Sequence, residues 1–149
     1  MDFIDCKRCG GILDKLGNGT TAKCRHCGTV QTIPRQPDEK IADLYKRADH
    51  LRRNSEYERA IDIYESILNE TPTDAEAHWL IILCRYGVVY VEDSMTQKRF
   101  PTVTRIQNTS LLADEDYKAA LRYADGEQKA IYRTDALFRM PRLSAPPGS

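Results

Sequence analysis

Two pairs of cysteines near the N-terminus constrain the fold of this chain more than any other feature. They stand in the segments Cys6-Lys7-Arg8-Cys9-Gly10 and Cys24-Arg25-His26-Cys27-Gly28, each with two residues between its cysteines and a glycine after the second. Zn²⁺ takes four soft ligands in a tetrahedron, and this spacing allows one tight turn to present two sulfurs to one ion. The pattern therefore predicts one structural zinc ion bound by Cys6, Cys9, Cys24 and Cys27.

The residues between the cysteine pairs predict a β-hairpin. Gly17-Asn18-Gly19 lies between two short segments of strand character, and an Asn-Gly pair favours the positive φ angles of a tight turn. Residues 29–33 are expected to add a third short strand. A hairpin that joins two such cysteine knuckles resembles a zinc ribbon, here over residues 6–33. The resemblance implies a metal that only holds the fold, because four cysteines leave no position for water or substrate. A rubredoxin-like redox site that binds iron is the less favoured alternative.

The chain after the predicted ribbon changes to helical periodicity. Residues 34–40 contain two prolines and predict a short linker. The apolar residues that follow fall on one face of a first helix: Ile41, Leu44, Tyr45, Ala48 and Leu51. Ser55 and Glu58 have capping-box spacing, which predicts the start of a second helix, and Pro72 ends it.

These two helices resemble one tetratricopeptide repeat over about residues 41–74. The matching positions are the small and aromatic residues expected between the helices and the closing proline: Ala48, Tyr57, Ala60, Tyr64 and Pro72. Since repeats of this kind stack in groups, the rest of the chain is expected to cover this one. We expect a buried helix around Trp79, a hairpin from residues 88–91 and 99–104, and a longer helix from Asp114 with a weak point or bend at Gly126.

The sequence thus predicts a small α+β fold. The expected divisions are a zinc ribbon over residues 1–33, a linker over 34–40, a mainly α tetratricopeptide-like module with a short β-hairpin over 41–138, and a disordered proline-rich tail over 139–149.

The charge balance and the apolar runs exclude two classes of function. Lys plus Arg and Asp plus Glu each total 22, which excludes a chain-wide basic surface for nucleic acid. The longest apolar run covers residues 79–84, far short of the roughly 20 residues that cross a bilayer. The N-terminus has no signal-peptide pattern, so we expect a cytoplasmic protein without a membrane segment.

The whole arrangement is similar to the N-terminal region that precedes a Toll/interleukin-receptor (TIR) domain in many bacterial proteins. The similarity covers about residues 6–133, with strings at residues 83–87 (LCRYG), 90–93 (YVED) and 112–121 (LADEDYKAAL). It implies a sensing, scaffolding or assembly part of a bacterial signalling or defence protein. The sequence contains no TIR domain, so no TIR catalytic residue is assigned.

No catalytic constellation emerges from the chain: there is no Ser/His/Asp set, phosphate-binding glycine loop or carboxylate pair. We therefore expect a non-enzymatic protein-interaction module, with no small-molecule substrate and no cofactor besides zinc. Its partner is expected to be a protein, a peptide or a second copy of the chain. Four cations that the helical pattern places on the exposed face are the candidate contacts: Lys46, Arg47, Arg52 and Arg53.

The alternative function is a nucleic-acid-binding zinc ribbon. It would use four cations beside the cysteines: Lys7, Arg8, Lys23 and Arg25. The zero net charge and the absence of aromatic residues from the ribbon sequence after Phe3 make this the weaker hypothesis, because nucleic-acid surfaces combine cations with stacking rings.

Overall fold

Two small antiparallel sheets and five α-helices form the described part of the chain. The computed structural model describes residues 6, 8–16, 21–32, 39–105, 110–140 and 143. The predicted turn at residues 17–19 and most of the predicted linker lie outside these residues. The elements in order are β1 (Leu13–Lys15), β2 (Thr21–Cys24), β3 (Val30–Thr32), α1 (Glu39–Arg53), α2 (Tyr57–Glu70), α3 (Ala75–Arg85), β4 (Val88–Glu92), β5 (Arg99–Val103), a 3₁₀ turn (Leu111–Ala113), α4 (Glu115–Tyr123), α5 (Gly126–Thr134) and a π-helical turn (Asp135–Arg139).

The first sheet carries the cysteines and confirms the strands predicted around them. Its order is β1-β2-β3, with both neighbouring pairs antiparallel. Leu13 pairs with Cys24, and Lys23 pairs with Val30, so the second cysteine pair begins at the end of the central strand. We call the described part of residues 6–32 the cysteine module, with a first knuckle at residues 6–11 and a second at residues 24–29.

The first helix pair forms where the periodicity predicts it, but its turn is built differently. Ala48 and Ala60 are fully buried, which permits α1 and α2 to pack closely. Ser55 lies at φ 63°, its N–H bonds to Arg52 O, and the Glu56 N–H bonds to Leu51 O. This is the Schellman arrangement that ends a helix. Ser55 therefore closes α1, and the prediction that it caps α2 is wrong.

Helix α3 lies in the centre of the core, as its apolar sequence predicts. Trp79 is fully buried, and its ring stacks on Tyr132 at 5.0 Å between centroids. The Asp74 carboxylate caps the helix by accepting from Ala77 N–H. Helix α3 packs against both α2 and α4. None of the described helices is long and apolar enough to cross a membrane.

The predicted β-hairpin between α3 and α4 is confirmed. Strands β4 and β5 pair antiparallel, with Tyr90 opposite Pro101 and Val91 opposite Phe100. Val91 and Phe100 lie on the outer face of the hairpin and are half exposed. At the start of β5 the Arg99 N–H donates to the His26 carbonyl at 2.5 Å, which joins the hairpin to the cysteine module.

The longer helix predicted after Asp114 is divided into two helices, and the second begins at Gly126, where the sequence predicts a weak point. Asp114 caps α4 as expected, accepting from the N–H groups of Asp116 and Tyr117. The chain then becomes extended at Ala124, and the Asp125 carboxylate accepts from Gln128 N–H to start α5. A second side-chain cap thus begins a new helix where the apolar pattern alone is continuous.

The C-terminal residues that the structure describes pack on the core. Met140 and Leu143 are buried, and Arg139 bonds to the second knuckle. The disordered tail predicted from residue 139 is therefore wrong for these three residues. Residues 141–142 and 144–149 lie outside the described part.

Candidate metal centre

The four cysteine sulfurs form one buried cluster. All four Sγ atoms lie within 4.8 Å of one another, with Cys6–Cys27 at 3.7 Å and Cys9–Cys24 at 3.5 Å. A tetrahedron with Zn–S bonds of about 2.3 Å has S–S edges of about 3.8 Å. The predicted grouping is confirmed, and the cluster can hold one metal ion.

Hydrogen-bond donors surround the sulfurs. The Arg8 N–H donates to Cys6 Sγ at 3.3 Å, and the His26 N–H donates to Cys24 Sγ at 3.3 Å. The side chain of Gln31, on β3, donates to Cys6 Sγ at 2.8 Å. Donors of this kind favour the ionised thiolate, which is the form that binds metal. The site is therefore arranged for negatively charged sulfur.

The same environment separates the acidities of the thiols. Hydrogen bonds from Cys24 and Cys27, followed by one from Cys9, hold the pKa of Cys6 far below the usual thiol value. These contacts therefore favour the ionised form of Cys6, which is the form that binds metal.

Three arginines from distant elements bind the carbonyl oxygens of the knuckles. Arg52 lies on α1, Arg99 on β5 and Arg139 in the π-helical turn. The bonds run from Arg52 Nη1 to Arg8 O (3.0 Å), from Arg99 Nη1 to Cys9 O (2.8 Å) and from Arg139 Nη2 to Cys27 O. Four thiolates around one Zn²⁺ carry a net charge of −2, so these cations offset the charge of a loaded site.

A buried ion pair joins the first knuckle to the helices. Arg8 is 1% exposed, and its guanidinium pairs with Glu76 Oε1 on α3. Tyr132 on α5 donates to Glu76 Oε2 at 2.8 Å. Burial lowers the pKa of Arg8, but the nearby acidic groups together, Glu76 foremost, outweigh it and hold that pKa well above its usual value. The cysteine module and the helical core therefore share one polar network.

The structure corrects one of the predicted partner contacts. Arg52 is 2% exposed and donates through Nε to the Tyr64 hydroxyl at 3.2 Å, so its predicted exposure is wrong. Lys46, Arg47 and Arg53 are exposed on α1 as expected. The helical pattern of α1 misplaces Arg52 because its acceptors lie on other elements, α2 and the first knuckle.

The structure also divides the four residues of the nucleic-acid hypothesis. Arg8 is buried against Glu76 and cannot meet a phosphate, so its predicted surface role is wrong. Lys23 is exposed, and Arg25 is exposed but bound to Asp14 with both contacts at 2.8 Å. Lys7 lies outside the described residues. The four cations therefore do not form one basic surface.

Several groups around the site carry no local sequence signal. Glu76, Arg99 and Arg139 are separated from their knuckle partners by 68, 90 and 112 residues. Asp135 is another: it is 3% exposed, and burial raises its pKa to about 6. Each looks like an ordinary charged surface residue in the sequence, since only the long-range fold supplies its partners.

Fold and site together define a small α+β protein with a four-cysteine cluster that can hold a metal ion. Comparisons with protein-family models, with curated proteins and with solved structures gave no match.

Proposed function

We propose that this chain is a non-enzymatic protein-interaction or assembly module held together by one structural zinc ion. The observation that carries the proposal is the closure of the four-cysteine cluster. Four buried sulfurs complete a tetrahedral ligand set, and a catalytic zinc needs an open position for water or substrate. The metal then supplies folding free energy to a cysteine module that is too small to fold on its own apolar core.

Zinc in a ribbon-type site is the metal that the ligands favour. Four thiolates with sulfur separations of 3.5 and 3.7 Å suit a closed tetrahedral zinc site. Iron with the same ligands is the competing possibility. Elemental analysis of the purified protein distinguishes them, and we expect one zinc and no iron per chain.

A tetratricopeptide-like hairpin is the proposed interaction element. Fully buried Ala48 and Ala60 support it, and α3 follows at about the repeat length of roughly 34 residues. On its surface Lys46, Arg47 and Arg53 form no hydrogen bond or ion pair with any described residue. These three exposed cations, which we call the α1 stripe, are the proposed contact for an acidic partner or a second copy.

The resemblance of the chain to the region before bacterial TIR domains supports a sensing, scaffolding or assembly role in a signalling or defence protein. The alternative of nucleic-acid binding is weakened by the burial of Arg8. Nucleic-acid binding would use the exposed ribbon cation Lys23, whereas the interaction function would use the α1 stripe. Variants at these two places therefore distinguish the two functions.

The test compares the zinc-loaded chain with a variant in which Lys46, Arg47 and Arg53 are changed to glutamate. We expect the parent chain to self-associate in light scattering, or to capture a protein from its native host that the variant does not capture. Lys129→Glu, at a partly exposed position on α5, is the control and retains binding. A monomer that captures nothing would contradict the proposal, as would salt-sensitive oligonucleotide binding that Lys23→Glu abolishes.

A further inference from the structure

An open groove lies between the cysteine module and the β4–β5 hairpin. Its volume is about 570 Å³, within the range of roughly 300–1,000 Å³ typical of ligand sites. Leu16 lines it from the cysteine module and Phe100 from β5, with exposed fractions of 38% and 55%. Two large apolar side chains therefore remain partly uncovered in one concave surface.

The groove has a positive rim. Lys23, Arg25, Lys98 and Arg99 line it, and Asp14 is the one acidic side chain among its described lining residues. Arg99 pairs with Glu92 at 3.5 Å. Arg25 is bound to Asp14, so these two charges cancel. The Lys23 side chain forms no hydrogen bond or ion pair with a described residue, and Lys98 Nζ donates to Arg25 O at 3.2 Å. Two uncompensated ammonium groups thus flank the apolar surface.

The charge behind the groove argues against a nucleic-acid backbone. Cys24 and Cys27 lie in its wall, and a tetrathiolate zinc site adds negative charge there. Closely spaced phosphates need a strong positive potential, and single strands stack successive bases on several aromatic rings. Phe100 is the one phenylalanine, tyrosine or tryptophan among the described residues of the groove.

The edge of β5 offers few backbone N–H groups to a partner. Arg99 uses its N–H on His26 O, and Pro101 has no N–H to offer. An added β-strand would therefore find few backbone donors along this edge. Recognition in the groove must depend on side chains.

We propose that the groove binds an acidic peptide segment of a protein partner, with one bulky apolar side chain seated between Leu16 and Phe100. Carboxylates on either side of that anchor pair with Lys23 and Lys98. This assignment rests on the proposed interaction function, for which it supplies a second surface besides the α1 stripe.

The test is an array of synthetic peptides in which glutamates flank one varied central position, probed with the zinc-loaded full chain. We expect binding with leucine, isoleucine, methionine, phenylalanine or tryptophan at the centre, and none with alanine or lysine. Phe100→Ala should weaken the best peptide about tenfold or more, because it removes an apolar contact surface. Lys98→Glu should weaken it by a similar factor, and the loss should be smaller at high salt.

Met95→Ala is the matched control, because Met95 is 91% exposed at the hairpin tip and does not line the groove. Circular dichroism and zinc content verify that each variant is folded. The assignment is overturned if no array peptide binds, if binding ignores the central residue, or if fluorescent oligothymidine binds the groove and the peptides do not. If partner capture through the α1 stripe persists in that case, the proposed function stands and only the groove assignment fails.

Discussion

Arg8 in the first cysteine knuckle forms a buried ion pair with Glu76 on α3. The two residues stand 68 positions apart in the chain, and both are almost inaccessible to solvent. A buried charge that loses its partner is far more costly than an exposed one. The pair therefore makes the stability of the helices depend on the cysteine module.

Breaking this ion pair should strongly destabilise the fold. We expect Glu76→Gln to lower the free energy of unfolding by about 3–5 kcal/mol, because it removes the carboxylate that pairs directly with the buried Arg8 guanidinium. The double variant Arg8→Met/Glu76→Leu should recover much of that loss. Urea denaturation measures both. Lys40→Ala, which removes an exposed ion pair with Glu70, is the control and should cost less than about 1 kcal/mol. Equal losses for Glu76→Gln and Lys40→Ala would contradict this prediction.

Removal of the metal should change the fluorescence of Trp79 in the helical core. Trp79 stacks on Tyr132, whose hydroxyl binds Glu76, the partner of Arg8. Chelation should therefore shift the Trp79 emission to longer wavelength and lower the melting temperature, and added Zn²⁺ should restore both. Cys6→Ser should respond little to the chelator, since it already lacks one ligand. Unchanged emission in a protein shown to have lost its metal would contradict the coupling.

Gly87 should not tolerate a side chain. Its φ of 58° is left-handed, and an added Cβ would collide with Thr104 Oγ1 and the Arg105 side chain. Gly87→Ala should cost at least about 1–2 kcal/mol from the backbone conformation alone. Gly126→Ala is the matched control: no atom lies within 4 Å of its added Cβ, and the change should stabilise by about 0.4–1 kcal/mol. Thermal melts of the two variants that shift in the same direction would oppose this prediction.

Asp135 should make stability depend on pH. Burial raises its pKa to about 6, against about 3.9 in an unfolded chain, so the native state binds the proton more tightly. The favourable contribution of the protonated carboxyl is then lost as the pH rises from about 4 to about 6. Asp135→Asn cannot ionise and should be more stable than the parent at pH 7 by about 2–3 kcal/mol. Free energies of unfolding at pH 7 and pH 5 should show this advantage shrinking at the lower pH, and a constant difference would argue against it.

The sequence predicts the features that depend on near neighbours. The cysteine spacing groups Cys6, Cys9, Cys24 and Cys27, and strand periodicity locates β4 and β5. In both cases the residues that interact are close in the chain and of distinctive type. Local pattern is then sufficient, because few other arrangements satisfy the same residues.

The features that the sequence misses depend on distant partners. Arg8 and Arg52 have the composition of surface residues, but acceptors on other elements make their burial favourable. Ser55 has the spacing of a capping box, but in the structure it belongs to the Schellman turn that ends the preceding helix. Two local rules compete there, and the geometry of the turn decides between them.

The hydrogen bond from Arg139 to Cys27 O can form only late in the synthesis of the chain. Both knuckles emerge from the ribosome long before Arg139, which follows Cys27 by 112 residues. Contacts of such long sequence separation form late, because the intervening chain must be ordered first. All four cysteines are available to a metal ion early, but the Cys27 carbonyl lacks its Arg139 partner until nearly all of the described chain has been synthesised. A ribosome stalled before this arginine would hold a cysteine module that has all four cysteines but lacks its bond to the C-terminal part of the core.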